Sequence, residues 1–131
     1  MAGERILVTD DEELILQLCR RILVKKGYEV EIASSGSRAL EVCQEGPFDI
    51  LLTDIKMPGM DGLQLIKEAR KHQPDIATMV ITGHGSIDTA IESLKLGVMA
   101  FIVKPFTPDT LLTSIQSVIE RRLHPPQLSL E

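Results

Sequence analysis

Aromatic residues are scarce: there is no tryptophan, one tyrosine and three phenylalanines in 131 residues. A surface that stacks nucleic-acid bases needs more rings than this, so a base-stacking platform is excluded. Positive charge is also in deficit. Lys and Arg number 14 against 19 Asp and Glu, a formal net charge of -5, which argues against direct nucleic-acid binding through a broad basic face. Cysteine is limited to Cys19 and Cys43. They lie far apart, in predicted helices, without metal-ligand spacing, and read as small buried hydrophobes. No apolar run is long enough for a membrane span, and the opening MAGERILV has no signal-peptide pattern. A soluble, cytoplasmic domain with no membrane partner is therefore the expectation. A dinucleotide fingerprint and a Walker-type P-loop are both missing, since the GHGS at 83–86 has the spacing of neither.

What is present is an alternation of five short apolar runs with five helix-like segments. The length suits one domain with one core. Ile6–Val8 reads as the first strand, followed by a helix over Glu12–Lys26 whose Leu14, Ile15, Leu18, Ile22 and Leu23 recur at helical spacing. Gly27 sits where a C-terminal cap belongs. Tyr28–Ala33 alternates apolar and charged residues, as an edge strand with one wet face does. Ser37–Glu45 predicts the second helix. Asp49–Thr53 is the third strand, almost wholly apolar and hence central. Leu63–Lys71 predicts the third helix, Ala77–Thr82 the fourth strand, and Ser86 caps a fourth helix running to Leu96. Ala100–Val103 is the fifth strand, and Thr107-Pro108 opens a last helix to about Leu123. Such alternation implies an α/β fold with a parallel sheet and helices on both faces. Residues 4–123 form the domain. Residues 124–131, with Pro125-Pro126, read as a linker or a cloning remnant.

Ligands of open parallel sheets bind outside the carboxyl ends of the strands. The first strand delivers Thr9, Asp10 and Asp11 to that rim, the third Asp54, the fourth Thr82 and Gly83, the fifth Lys104. Three carboxylates together repel one another. A hard divalent cation, Mg²⁺ or Mn²⁺ in its place, resolves the repulsion with oxygen ligands and admits an anionic phosphoryl donor. Lys104 can meet a phosphoryl oxygen and Thr82 offers a hydroxyl. Asp54, from the central strand, is then the candidate nucleophile, forming an acyl phosphate.

The segments LVTDDEE, LLTDIKMPGMDG, VITGHG and FIVKPF, in this order and at these strand ends, resemble the receiver domain of two-component response regulators. The wording of TGHG and KPF is most similar to receivers of the nitrogen-regulation activator class, or to receivers in hybrid kinases. The resemblance implies a flavodoxin-like sheet of order 2-1-3-4-5. It implies Asp54 as phosphoacceptor, and Asp10, Asp11 and Asp54 as Mg²⁺ ligands together with the backbone carbonyl of Lys56. It implies Thr82 as switch hydroxyl, Phe101 as switch aromatic, Lys104 as the phosphate-binding lysine, and a cis peptide at Lys104-Pro105. A histidine kinase or phosphotransfer protein would supply the phosphoryl group. The face built from the fourth helix, fifth strand and fifth helix would pass the signal to an output domain or effector protein, or to a second phosphorylated copy. The domain would be a switch with self-phosphotransfer and self-dephosphorylation chemistry, not a metabolic enzyme.

Each residue alone has a plainer reading: Asp10 or Asp11 as a helix cap, Thr82 as a turn residue, Lys104 as a solvated loop lysine, Phe101 as packing, His84 as a loop histidine. Three other classes share parts of the pattern. An aspartyl-nucleophile phosphohydrolase usually carries a second Asp two residues after the nucleophile, where this chain has Lys56. A flavin carrier would have its phosphate repelled by Asp10-Asp11. A receiver-like module that is never phosphorylated does not need Asp54, Thr82 and Lys104 together. In receivers the second residues after the phosphoacceptor and after the switch hydroxyl tune self-hydrolysis, here Lys56 and His84. Both are bulky enough to shield an acyl phosphate. Lys56→Asn and His84→Ala are expected to shorten the lifetime of the phosphorylated protein several-fold. Unchanged dephosphorylation rates in both variants would refute the shielding role.

Overall fold

The computed structural model describes residues 3–83 and 87–124. Five strands, β1 (Arg5–Thr9), β2 (Glu29–Ala33), β3 (Ile50–Thr53), β4 (Ala77–Thr82) and β5 (Ala100–Val103), alternate with α1 (Glu13–Lys25), α2 (Gly36–Glu45), α3 (Gly62–His72), α4 (Ile87–Lys95) and α5 (Pro108–Leu123). The strands form one parallel sheet in the order β2-β1-β3-β4-β5. β3 is therefore central and the half-wet β2 lies at an edge, as the alternation of β2 predicts.

Period-two alternation divides the strands between two cores. Ile6, Val8, Ile50, Leu52, Met79 and Ile81 point to the side covered by α1 and α5. Leu7, Leu51 and Val80 point to the side covered by α2 and α3. A strand buried on both faces reads as a nearly continuous apolar run, as β1, β3 and β4 do; the polar side chain inside β4, Thr78, is buried and accepts from the Arg70 guanidinium at 2.8 Å. Cys19 and Cys43 fall on opposite sides of the sheet, one in each core, both buried and free. Burial, with the charge of nearby Asp10 adding to it, pushes the Cys19 thiol up to about 12, so it stays protonated.

Helix ends follow local chemistry. Gly27 and Gly97 take positive φ past α1 and α4, as capping glycines do. Thr107 accepts a hydrogen bond from the Thr110 N–H, with Pro108 in the first turn of α5. Ser35 caps α2 by accepting from the Arg38 N–H, so that helix begins at Gly36, one residue before the predicted Ser37. At α3, Asp61 and Gln64 form a reciprocal capping box, a device hidden within what reads as an Asp-Gly turn. The Ser86 cap expected for α4 lies outside the described residues.

Two glycines hold the β3–α3 loop in place. The Gly62 N–H closes the loop on the Ile55 carbonyl at 2.8 Å. A Cβ on Gly62 would stand 1.9 Å from the Asp54 carbonyl oxygen, and one on Gly36 would stand 2.8 Å from the Met60 carbonyl oxygen. The nearest atom is backbone in both cases, and at Gly62 all the close neighbours are, so relief there requires moving the loop that follows Asp54. Gly62→Ala is therefore expected to cost about 2–3 kcal/mol. Gly46→Ala meets only the movable Arg5 guanidinium at 3.3 Å and should cost less than about 1 kcal/mol. Urea unfolding compares the two; equal losses would refute the loop-cushion role of Gly62.

Candidate functional site

The carboxyl edge of the sheet gathers Asp10, Glu12 and Asp54 around Lys104. Asp54 follows β3, its N–H bonded to the Thr9 carbonyl at 2.9 Å. Its Oδ1 accepts from the Ile55 N–H at 2.7 Å and its Oδ2 from the Lys104 ammonium at 3.0 Å. Thr53 donates its hydroxyl to the Asp54 carbonyl at 2.8 Å. The carboxylate is thus fixed from its own backbone outward. Lys104 follows β5, its N–H bonded to the Thr82 carbonyl at 2.8 Å, and the Lys104-Pro105 peptide is cis. Thr82 ends β4 fully buried.

Asp10 has no solvent exposure. Its Oδ1 accepts from the Glu12 N–H at 2.9 Å, which ties down the entry to α1; the N-cap itself is Glu12, so Asp10 does not cap that helix. Its Oδ2 lies 2.7 Å from the Lys104 ammonium. That is an ion contact without hydrogen-bond alignment, and no other donor among the described residues reaches this buried oxygen. Burial raises the Asp10 pKa above its ordinary value, more than the Lys104 contact and the Glu12 N–H lower it, and the Asp54 charge adds to the rise. Burial alone would lower the Lys104 pKa, but Asp10, Glu12 and Asp54 outweigh it and hold the ammonium charged well above its ordinary range.

Carboxylate oxygens of Asp10, Glu12 and Asp54 all lie within 4.8 Å of one another. This all-oxygen set, with one buried oxygen lacking an aligned donor, fits a hard divalent cation. Its third member differs from the expected one. Asp11 is exposed and outside the trio, and the carboxylate that joins Asp10 and Asp54 is that of Glu12. The signal was visible in the acidic run of LVTDDEE. What was not visible is that the backbone turns between Asp10 and α1, sending the Asp11 side chain outward and bringing the Glu12 carboxylate back to 3.0 Å from Lys104.

The other predicted residues are dispersed around this centre. Lys56 is exposed on the loop after Asp54, where Met57 is buried. Phe101 is half-buried against the α2/α3 core and lines a cavity of about 210 Å³ with Ala90, Ser93, Leu94 and Val98. His84 lies outside the described residues.

Comparison with known proteins decides what this arrangement is. The family model for the response regulator receiver domain matches residues 6–116. The chain belongs to the response regulator receiver domain family. Among curated proteins, this receiver is 38% identical over 126 residues to the transcriptional regulatory protein ZraR of Klebsiella oxytoca, covering 94% of this chain and 28% of that protein. It is 35% identical over 116 residues to GlrR of Escherichia coli strain K12, covering 88% and 26%. The chain therefore spans little more than a quarter of the length of these relatives, and it is also 33% identical over 117 residues to an NtrX-like response regulator of Rickettsia bellii, covering 88% and 24%. Among solved structures, a CheY-like receiver from Methanospirillum hungatei superposes with a TM-score of 0.88 at 35% identity, covering 93% of this chain and 98% of that one. A beryllofluoride-activated NtrC4 receiver domain dimer gives a TM-score of 0.85 at 36% identity, covering 90% and 98%. The receiver is a signalling switch of two-component systems, and no helix among its described residues is long and apolar enough to cross a membrane.

The charge on Asp10 has a consequence for stability. Its folded pKa lies above its unfolded value near 3.8, so between the two the folded receiver binds more protons, and stability from this group falls as pH rises through that window. At neutral pH the buried charge is a cost. In chelator, Asp10→Asn is expected to raise the thermal midpoint at pH 7.5 by a few degrees, about 1 kcal/mol corresponding to roughly 3–5 °C for a domain of this size. The gain should shrink as the pH falls toward 4. A lowered midpoint, or a gain that does not depend on pH, would contradict it.

Proposed function

We propose that Asp54 is the phosphoacceptor and that its phosphorylation by a histidine kinase or phosphotransfer protein switches the α4–β5–α5 face. The observation that carries this reading is the buried Asp54 carboxylate at the sheet's carboxyl edge, with the Lys104 ammonium 3.0 Å away. An Asp54 oxygen attacks the phosphorus of the donor phosphohistidine. The P–N bond breaks, its electron pair leaves on the imidazole nitrogen, and that nitrogen takes a proton. Lys104 balances charge on the phosphoryl oxygens and Thr82 donates a hydroxyl to them. Bound Mg²⁺ supplies further charge neutralisation; Asp10, Asp54, Asp11 from the same loop and the Lys56 carbonyl are its proposed ligands, and Mn²⁺ satisfies the same oxygen set. Water attack on the acyl phosphate returns the carboxylate and inorganic phosphate, with Lys56 and His84 slowing it.

Movement of Thr82 toward the phosphoryl group makes room beside β4, and the cavity at Phe101 supplies space for the ring to change position. The face that would read this change carries exposed apolar side chains: Ile87 at 80%, Ile91 at 45%, Leu94 at 71% and Val103 at 54%. Such a patch suits an output domain, an effector protein or a phosphorylation-dependent homodimer. The setting is cytoplasmic signalling, with nucleic-acid contact left to a partner or output domain. Residues 4–123 are read as the receiver and residues 124–131 as a linker or tail.

Intact mass after incubation with Mg²⁺ and acetyl phosphate tests the reading. One added phosphoryl group is expected, dependent on the metal and lost in Asp54→Asn and with EDTA. Label retained in Asp54→Asn would place the acceptor elsewhere, and sustained turnover of a phosphoester without a trapped phosphoprotein would favour the phosphohydrolase class.

A further inference from the structure

The Lys104 ammonium has three N–H donors, and three carboxylates surround it: Asp10 at 2.7 Å, Glu12 at 3.0 Å and Asp54 at 3.0 Å. Its hydrogen bonds run to Glu12 and Asp54, and Asp10 adds an ion contact, so an incoming phosphoryl oxygen competes with these carboxylates for the ammonium. Asp10 and Asp54 are poorly placed to leave. Their side chains are 0% and 8% exposed, and each has its other oxygen fixed by a backbone N–H, from Glu12 and Ile55. Glu12 differs on every count. Its side chain is 61% exposed, it makes no cap hydrogen bond although it occupies the N-cap of α1, and it reaches Lys104 across 92 residues of sequence. Water can replace the ammonium around an exposed carboxylate at little cost, whereas a buried carboxylate has no such exchange.

We propose that Glu12 is an internal competitor for the incoming phosphoryl group: its carboxylate occupies Lys104 in the resting receiver, and that contact is the one exchanged when Asp54 is phosphorylated. The proposal rests on the phosphoacceptor reading above. Glu12 thereby sets how readily the rim accepts an anionic donor. It acts as a positioning residue on Lys104 and is not the nucleophile.

Beryllofluoride, an unreactive mimic of the phosphoryl group, tests this in saturating Mg²⁺ with affinities read by NMR titration. Glu12→Gln removes the charge. Glu12→Asp keeps the charge but shortens the reach by one methylene. If Glu12 competes by contact, both variants bind beryllofluoride more tightly than the parent, by about twofold to fivefold on the scale of an exposed ion pair. Tightening in Glu12→Gln alone would mean diffuse charge repulsion and overturn the proposal, as would no change in either variant. Calorimetric Mg²⁺ titration separates the remaining role. Affinity within a few-fold of the parent in Glu12→Gln is expected, and a loss of about tenfold or more, the scale of removing a metal ligand's support, would make Glu12 a ligand and overturn the contact. Undiminished beryllofluoride binding by Asp54→Asn would overturn the phosphoacceptor reading itself, whatever the Glu12 variants do.

Discussion

Lys104 holds together a group of charges that would otherwise drive the rim apart. Three carboxylates within 4.8 Å repel strongly where water is scarce, and one ammonium touching all three offsets that repulsion. The rest of the structure serves this contact. β5 carries the lysine, β3 carries Asp54, β1 carries Asp10, and the parallel register puts their ends on the same edge. The contact is also incomplete. One cation faces three anions, and a buried Asp10 oxygen lacks an aligned donor. A site with excess negative charge and rigid walls is stable enough to fold yet still suited to a divalent cation.

Rigidity is concentrated around Asp54. Its N–H is bonded to β1, one carboxylate oxygen to the next backbone N–H, and its carbonyl to Thr53. Gly62 packs directly on that carbonyl and closes the loop. On the α4–β5 side a cavity of about 210 Å³ lies beside a half-buried Phe101 and exposed apolar side chains. A fixed charge site next to a loosely packed face is a physical basis for coupling a local charge event to surface rearrangement.

Several elements were legible before any coordinates. The apolar runs of β1, β3 and β4 announce strands buried on both faces, and the alternation of β2 announces an edge, because side-chain period and burial are linked directly. Gly27, Gly97 and Thr107-Pro108 mark helix ends through backbone chemistry that acts within a few residues. Asp54 and Lys104 could be placed on one rim because a parallel sheet leaves its strand ends on one side.

The membership of the charge cluster was not legible. Asp11 and Glu12 are adjacent acids in a run of four, and nothing local separates the one that turns to solvent from the one that reaches Lys104. Nor does a glycine in an Asp-Gly pair disclose that its missing Cβ would strike the Asp54 carbonyl. The order of apolar and polar residues along the chain determined the strands, the helices and the rim on which the chemistry gathers, since those depend on periodicity and short-range backbone preference. Only the tertiary structure decided which carboxylates share the lysine and how tightly the loop closes behind Asp54, because those depend on distances between residues far apart in the chain, such as Asp10 and Lys104.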